Sequence, residues 1–411
     1  MSTLTIFSGT FCGGESVVKE VLARLNCRLV RDEDIVAVAS KASGIPEAKM
    51  MKAFSSKTSV FNRFTHEKER SIAYLRLAVA EGLADDNLLI TGFTSHLIPR
   101  EVSHVLRVCL IADMKSRIST AVKEHRMTEK EAMKLIRKQD EDRAVWVHAL
   151  LNKNDPWDSS LYDIVIPTDK TGPDDAAALI EQNAAAEAVR PTTSSRRAAE
   201  DFLLAARVDV ALANEGHNVP VEAREGSVTL TINKHVLMLS RVKEELREIA
   251  TKVPGVKSVE TKVGKDFYQA DVYRKFNFEL PSKVLLVDDE REFVQTLSER
   301  LIMRDMGSAV AYDGESALNM VNEDEPDVMI LDLKMPGIDG IEVLRQVKES
   351  HPEIEVIILT GHGSEADRDV CMKLGAFAYL QKPVDIDVLS ETLKKAYERI
   401  RLQRETRRQG A

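Results

Sequence analysis

The chain has 411 residues, of which 44% are hydrophobic and 30% charged, as in folded proteins of two to three domains. The formal net charge is −9, so whole-chain electrostatics do not favour nucleic acid. No apolar run approaches the roughly 20 residues that span a bilayer, and the N-terminus lacks the features of a signal peptide. The four cysteines contain no CxxC pair, which excludes a disulfide framework or zinc site of that pattern. We therefore expect a cytoplasmic protein that spans no membrane.

The first predicted elements are a strand (residues 4–7) and a helix (residues 17–25), joined by a glycine-rich loop. This order is the context that a phosphate-binding loop requires. The spacing matches G-x-x-x-x-G-K-[ST], except that Glu15 stands where the lysine belongs. A carboxylate there repels a nucleotide or caps the helix amides itself. The candidate nucleotide-binding residues of the loop are Gly9, Gly13, Gly14 and Ser16.

Further predicted strands cover residues 88–92, 105–111 and 162–169, and a capping box at residues 128–131 opens a long helix. Over residues 3–183 the order of these pieces resembles the cytidylate-kinase-like family of P-loop nucleoside-monophosphate kinases. The resemblance predicts an α/β domain for residues 1–183. Besides the loop, it is carried by Arg31-Asp32, Arg117, Asp140-x-x-Arg143 and Tyr162-Asp163.

The family resemblance implies a kinase fold but not kinase activity. Active relatives have a cation at the Glu15 position, and an arginine directly after Gly92, where this chain has Phe93. We expect an inactive domain. Two alternatives stay open: an active kinase that uses Lys19, Arg117 or Arg143 with ATP and a nucleoside monophosphate, and a nucleotide sensor without turnover. The alternative to nucleotide binding is that both arginines form salt bridges on the helix surface, for example Arg143 with Asp140 or Glu141.

The middle of the chain predicts a small module. Residues 184–197 have the composition of a linker, and a helix is predicted over residues 198–215. A hairpin turning at Glu225-Gly226, a helix (residues 240–252) and a strand (residues 256–263) follow. This pattern resembles the BON domain, a small α+β module, and we assign it to residues 198–274. No catalytic cluster is predicted there, and His217 is expected at the surface, so an interaction or spacer role follows. Residues 275–282 are predicted as a second linker.

Short apolar runs in the last part of the chain each end in a polar residue. Asp288-Asp289 follows residues 284–287, Asp332 follows residues 328–331, and Thr360 follows residues 356–359. Such runs are typical of strands in a parallel sheet that is covered on both faces, and the groups that follow them converge on one rim. Three carboxylates there need a hard cation such as Mg²⁺, beside which Asp332 can act as a nucleophile and form an acyl phosphate.

With Lys382-Pro383 after Tyr379-Leu380, residues 283–400 resemble a response-regulator receiver domain. The resemblance implies a doubly wound (βα)5 flavodoxin-like fold with sheet order 2-1-3-4-5, and Asp332 as the phospho-acceptor. It implies that Lys382, through a cis bond to Pro383, pairs with a phosphoryl oxygen. Thr360 would bond the phosphoryl group, and Tyr379 would turn inward as the switch. The implied ligands of Mg²⁺ are Asp288, Asp289, Asp332 and the backbone carbonyl of Lys334.

Together the pieces predict an α/β multidomain response regulator of a two-component phosphorelay. Its expected phosphodonor is a sensor histidine kinase or phosphotransfer protein, and the kinase-like domain would be a sensor or output domain. A homodimer through the receiver is an open alternative. No helix-turn-helix follows the receiver, so no DNA partner is expected. Residues 401–411 are predicted to be a basic tail at the solvated end of the last helix.

Overall fold

The computed structural model describes residues 3–57, 59–85, 87–233, 239–264, 283–304, 306–361 and 363–409. The chain divides into two compact units. The first comprises Met1–Thr58 and Lys68–Tyr273, and the second comprises Ser59–Glu67 and Arg274–Ala411. The second unit therefore includes a short segment taken from within the sequence span of the first. Among the described residues, no helix is both long and apolar enough to cross a membrane.

The first unit contains a five-stranded parallel sheet of order β2-β3-β1-β4-β5. Two apolar core layers cover it, which explains why its central strands are almost wholly apolar. The strands predicted from sequence are present, with bounds shifted by a few residues at most. The strands are β1 (Thr3–Ser8), β2 (Arg28–Arg31), β3 (Leu88–Thr91), β4 (Val105–Ile111) and β5 (Ile164–Pro167).

Helices connect these strands. The predicted capping box opens the longest of them: the Glu131 amide donates to Thr128 Oγ1 at 3.3 Å, and the Thr128 amide donates to Glu131 Oε2 at 2.9 Å. Of the helices up to residue 184, α4 and the first residue of α5 belong to the second unit. In chain order they are α1 (Gly14–Leu25), α2 (Asp32–Ser43), α3 (Glu47–Met51), α4 (Asn62–Thr65), α5 (Glu67–Gly82), α6 (Met114–His125), α7 (Glu129–Leu151) and α8 (Pro173–Ala184).

The middle module is a three-stranded sheet of order β6-β7-β8 with two helices. Strands β6 and β7 are antiparallel and β8 joins in parallel. Their turn has Glu225 and Gly226 at φ 52° and 89°, as a tight hairpin requires. The elements are α9 (Thr193–Asn214), β6 (Val221–Arg224), β7 (Ser227–Ile232), α10 (Leu239–Thr251) and β8 (Ser258–Val263).

The predicted linker at residues 184–197 does not separate two compact units. Helix α9 begins inside it, because Thr192 accepts a hydrogen bond from the Ser195 amide and caps the helix. The first half of α9 packs Phe202 into the core that covers the large sheet, whereas Leu212 in its second half packs into the module core. The surface position predicted for His217 is also wrong. This residue is only 3% exposed, with Nε2 3.5 Å from Glu245 Oε1, because it lies against the module core.

The second unit contains a second parallel sheet, of order β10-β9-β11-β12-β13, between two apolar layers. The predicted linker at residues 275–282 lies outside the described residues. The last helix continues through the predicted basic tail as far as Gln409, and Arg404 on it pairs with Asp327 at 2.7 Å. The elements are β9 (Val284–Val287), α11 (Arg291–Ile302), β10 (Ser308–Ala311), α12 (Gly314–Glu323), β11 (Val328–Leu331), α13 (Gly340–Ser350), β12 (Glu355–Thr360), α14 (Glu365–Lys373), β13 (Ala378–Gln381) and α15 (Ile386–Gln409).

Gly340, at the start of α13, lies against the backbone after β11. A Cβ atom there would be 2.1 Å from the Asp332 carbonyl oxygen and 2.7 Å from the Leu333 Cα, and backbone cannot move aside cheaply. We expect Gly340→Ala to lower the free energy of opening of β9 and β11 by about 1–3 kcal/mol, measured by hydrogen exchange in the full chain. Gly361→Ala is the control, since its nearest atoms are those of Lys382 at 3.9 Å. Equal protection in both variants would contradict the close approach.

Candidate phosphoryl-acceptor site and the glycine loop

Four strands of the second sheet deliver polar side chains to one rim. Asp288, Asp332 and Lys382 directly follow β9, β11 and β13, and Thr360 is the last residue of β12. Backbone hydrogen bonds fix their positions: the Asp332 amide donates to the Val287 carbonyl at 2.9 Å, and the Lys382 amide to the Thr360 carbonyl at 2.9 Å. The parallel register thus brings together residues that lie up to 94 positions apart in the sequence.

Three carboxylates meet at this rim. Oxygen atoms of Asp288, Asp289 and Asp332 lie within 4.8 Å of one another. Asp288 and Asp332 are buried, at 4% and 6% exposure, whereas Asp289 is exposed. An all-oxygen set of this kind suits a hard divalent cation, and burial of two members keeps their mutual repulsion strong. The residues therefore fit the Mg²⁺ predicted from sequence.

Lys382 supplies the positive charge at the site. Its Nζ lies 2.6 Å from Asp288 Oδ2, 3.2 Å from Asp332 Oδ2 and 3.1 Å from Glu290 Oε1, and 4.5 Å from the Phe293 ring centroid. Burial lowers the pKa of Lys382, but the hydrogen bonds and charges of the carboxylates outweigh it and leave the pKa raised. Burial also raises the pKa of Asp288, although the hydrogen bonds from Lys382 and the Glu290 amide oppose this. The lysine thus stays charged.

The remaining predicted residues lie beside this cluster or at its edge. Thr360 is 1% exposed. The Tyr379 hydroxyl is buried and has no hydrogen-bond partner among the described residues, and burial raises its pKa. It packs onto Gly363, where a Cβ atom would be 1.6 Å from the phenolic oxygen and 3.1 Å from Thr360 Cγ2. The Lys382–Pro383 peptide bond is cis, as predicted. Lys334 is exposed, and the ligand role of its carbonyl stays a prediction.

The glycine loop lies at the corresponding rim of the first sheet, between β1 and α1. Its backbone takes left-handed φ values at Phe11 (60°) and Gly13 (66°), and no side chain caps α1. Glu15 therefore does not cap the helix amides; its carboxylate is 85% exposed and lies 3.3 Å from Arg31. Cys12 lies close against Gly9, since a Cβ atom at Gly9 would be 2.7 Å from Cys12 Sγ.

Both candidate arginines are engaged by the loop and α7. Arg117 donates to both carboxylate oxygens of Asp140, at 2.8 and 2.7 Å, and to the Thr10 carbonyl at 2.8 Å. Arg143 donates to the Ser8 carbonyl at 3.1 Å and to Thr10 Oγ1 at 3.0 Å. In the alternative left open above, Arg143 pairs with Asp140 or Glu141; Asp140 instead pairs with Arg117, and Arg143 turns towards the loop. These guanidinium groups support the loop backbone.

Comparison with known proteins indicates which family the sequence of the second unit resembles. Residues 284–394 match the family model of the response regulator receiver domain. This part of the chain is therefore similar to receiver domains. It is similar to transcriptional regulatory protein CpxR of Escherichia coli K12, with 44% identity over 102 residues, which cover 25% of this chain and 43% of CpxR. It is also similar to the C4-dicarboxylate transport transcriptional regulatory protein DctD of Pseudomonas aeruginosa, with 35% identity over 130 residues, 32% of this chain and 28% of DctD. The matches thus span less than half the length of these curated relatives.

Solved receiver domains and a second family model complete the comparison. A receiver domain from Clostridium thermocellum is 36% identical and covers 29% of this chain and 97% of its own, with a TM-score of 0.29. The receiver domain of Francisella response regulator 1452 is 33% identical and covers 29% of this chain and 98% of its own, with a TM-score of 0.28.

Residues 3–170 match the family model of the cytidylate kinase-like family. The two family matches thus cover the N-terminal and C-terminal parts of the chain, as predicted.

Two residues of these sites were missed in the sequence. Glu290 directly follows the acidic pair, and that adjacency was the available signal for its contact with Lys382. Asp32 was read only as part of a motif. In the structure its buried carboxylate accepts hydrogen bonds from the Phe93 amide (2.8 Å) and from the amide and hydroxyl of Thr94 (2.9 and 2.7 Å). Asp32 thus holds the turn after Gly92. A Cβ atom at Gly92 would be 2.1 Å from Asp32 Oδ2.

We expect Asp32 to make the stability of the first unit depend on pH. Burial raises its pKa to about 6, against a usual 3.8, although its hydrogen bonds oppose the shift. The folded state therefore holds the proton more tightly, so stability falls as pH rises from about 4 to 6. Relative to Asp32→Asn, the wild type should lose up to roughly 3 kcal/mol across this window. Urea unfolding followed by tryptophan fluorescence measures it, because both tryptophans, Trp146 and Trp157, lie in the first unit.

The matched control for this pH dependence is Asp85→Asn, whose carboxylate is 68% exposed in its pair with Arg28. The difference between wild type and Asp85→Asn should change little over the same pH range. A wild-type minus Asp32→Asn difference that is equally flat would show that the Asp32 carboxyl titrates near its usual value.

Proposed function

We propose that the chain is a two-component response regulator whose receiver domain accepts a phosphoryl group on Asp332 from a sensor histidine kinase or a phosphotransfer protein. The observation that carries this proposal is the convergence of Asp288, Asp289, Asp332 and Lys382 on one rim of a parallel sheet. In the reaction an Asp332 carboxylate oxygen attacks phosphorus while the bond from phosphorus to the donor histidine nitrogen breaks. The nitrogen keeps the electron pair and is then protonated, and an acyl phosphate forms.

The residues around Asp332 prepare this transfer. The Leu333 amide donates to Asp332 Oδ1 at 2.7 Å and fixes the carboxylate, while Oδ2 faces Lys382. Asp288, Asp289, Asp332 and the Lys334 carbonyl would hold Mg²⁺, which would supply positive charge that offsets the charge of the phosphoryl oxygens. The Lys382 ammonium, already held by the carboxylates, pairs with one of those oxygens. Thr360 donates a hydrogen bond to another phosphoryl oxygen. The Tyr379 ring then turns inward and reports this rearrangement.

The first unit serves as a sensor or output domain that acts through contacts. The engagement of Arg117 and Arg143 by the loop, together with the exposed carboxylate of Glu15, favours an inactive domain over an active kinase. The BON-like assignment of residues 198–274 as an interaction or spacer module belongs to the same proposal. The expectation of no DNA partner stays a prediction, since the curated relatives are named transcriptional regulatory proteins and the match covers only part of each.

The acceptor role predicts the behaviour of Asp332→Asn. With a small phosphodonor such as acetyl phosphate and Mg²⁺, the wild-type full chain should become phosphorylated, whereas Asp332→Asn should lose at least about 99% of the rate, because the amide is a poor nucleophile. Intact-mass spectrometry measures the modified fraction. A chelator in place of Mg²⁺ should also slow the wild type strongly.

Asp369→Asn is the control, because Asp369 is an exposed aspartate on α14 outside the cluster. Its rate should equal that of the wild type. Phosphorylation of Asp332→Asn at the wild-type rate would refute the assignment of the acceptor.

The glycine loop predicts no nucleotide kinase turnover. The full chain, given ATP, Mg²⁺ and CMP or other nucleoside monophosphates, should form no ADP above the protein-free baseline, because Glu15 stands at the P-loop lysine position and the loop and α7 engage Arg117 and Arg143. The expectation holds with and without beryllofluoride on Asp332. Coupled-enzyme assays measure it, with an active nucleoside-monophosphate kinase as the positive control. Turnover of any of these nucleotides would restore the active-kinase alternative.

A further inference from the structure

The second unit contains Ser59–Glu67, a segment that lies within the kinase-like family match but outside the receiver match. The chain leaves the first unit after residue 58 and returns to it at residue 68. The segment has its own local order, with the single turn α4 at its centre. The Phe61 amide donates to Ser59 Oγ at 3.0 Å, and the Thr65 amide donates to the Phe61 carbonyl at 3.0 Å.

Phe61 belongs to the receiver core. Its side chain is 0% exposed and lies in the apolar layer that β9, α12 and α13 build on one face of the sheet. Members of this layer include Leu285 on β9 and Val321 on α12. Its neighbour Val60 is 47% exposed. One aromatic side chain of the segment is therefore inserted into the receiver, while the adjacent apolar side chain is left in water.

Polar groups hold the segment beside Phe61. Lys283, directly before β9, has its Nζ 2.6 Å from Glu67 Oε2 and 3.3 Å from Asp324 Oδ1, and its side chain is only 5% exposed. Ser59 Oγ donates a hydrogen bond to Asp324 Oδ2 at the end of α12. A buried ammonium needs such partners, because burial without them disfavours its charged form. The segment thus supplies one of the carboxylates that keep Lys283 charged, together with Asp324 and Asp327.

The same strand connects this contact with the acceptor site. Strand β9 has Lys283 before its first residue and Asp288 after its last, so the two charged clusters lie at opposite ends of a buried strand, with backbones roughly 16 Å apart. Any rearrangement of β9 or α12 on phosphorylation acts on the groups that hold the segment. Because first-unit residues bound the segment on both sides in sequence, its release or tightening alters the constraint on the chain there.

We propose that Ser59–Glu67 is a docking element, supplied in cis, through which the phosphorylation state of the receiver is passed to the kinase-like domain. The receiver side of the contact is an apolar socket for Phe61 together with the Lys283–Asp324 pair. The regulatory half of this inference rests on the proposed function. Coupling of this kind is reciprocal, so phosphorylation changes docking and docking changes phosphorylation by the same factor in equilibrium terms.

Trypsin cleavage after Arg63 in the full chain tests the docking. Phe61→Ala should raise the cleavage rate at Arg63 by about tenfold or more over wild type, because the segment opens more often when its anchor is lost. Glu67→Gln should raise it by a smaller factor and tests the same contact without leaving a cavity in the core. Val60→Ala is the matched control and should cleave as the wild type does. If Phe61→Ala and Glu67→Gln both cleave at the Val60→Ala rate, docking is refuted.

Beryllofluoride with Mg²⁺, a phosphoryl mimic, tests the regulatory half. It should change the wild-type cleavage rate at Arg63 by about fivefold or more and leave Asp332→Asn unchanged. Phe61→Ala should reduce this response and change the lifetime of phosphorylated Asp332, whereas Val60→Ala should do neither. An unchanged rate at Arg63 in wild type refutes the readout. If Asp332 takes no phosphoryl group at all, the proposed function fails and the readout with it, while the Phe61 comparison still decides docking.

Discussion

The second unit depends on a balance of charge around one ammonium group. Lys382 Nζ lies within 3.2 Å of both buried carboxylates, Asp288 and Asp332, and of Glu290. Without it, two carboxylates buried side by side would repel each other with no positive group between them to offset the repulsion. The fold serves this balance, because only the carboxyl ends of neighbouring parallel strands bring such distant residues onto one rim. The apolar strands behind the rim exclude water and keep these interactions strong.

The first sheet also gathers polar groups at the carboxyl ends of its strands, but its cations have different partners. Its rim also gathers polar groups beside a glycine loop, but the cations there are already bound to the chain. Arg117 is neutralised by Asp140, and Arg143 donates to the Ser8 carbonyl and the Thr10 hydroxyl and lies near the rings of Phe7 and Phe93. Releasing either guanidinium group to a phosphate would leave Asp140 or the loop carbonyls without their donors, at a cost typical of unsatisfied buried polar groups. The two rims therefore differ in what holds their cations, since carboxylates hold Lys382 at the second rim whereas Asp140 and loop oxygens hold the arginines at the first.

Local patterns predicted most of the elements and the acceptor cluster, because the signals are local. Apolar runs that end in polar residues give both the strands and the rim, and Thr128-x-x-Glu131 gives the start of α7. Long-range choices between equivalent partners were not predictable. Nothing in the spacing distinguishes Arg117 from Arg143 as the partner of Asp140, or shows that Asp32 is buried under the Gly92 turn. The composition of residues 184–197 is that of a linker, yet the cap at Thr192 and the burial of Phe202 place the start of α9 in a core.

The limits of the two units follow from burial and do not coincide with the family matches. Helix α9 contributes to two apolar cores, and Asp209 on it pairs with Arg76 on α5 at 2.7 Å, so the middle module and the kinase-like sheet form one unit. Conversely, Phe61 is fully buried in the receiver core although more than 200 residues separate it from β9 in the sequence. A side chain inserted at such a distance closes a long loop, and the burial of Phe61 and the Lys283–Glu67 pair must offset that entropy. Because the loop-closure cost grows only slowly with length, a single aromatic anchor and an ion pair whose glutamate is 44% exposed can hold the segment, and under the proposed coupling a change at Asp332 acts on these same contacts.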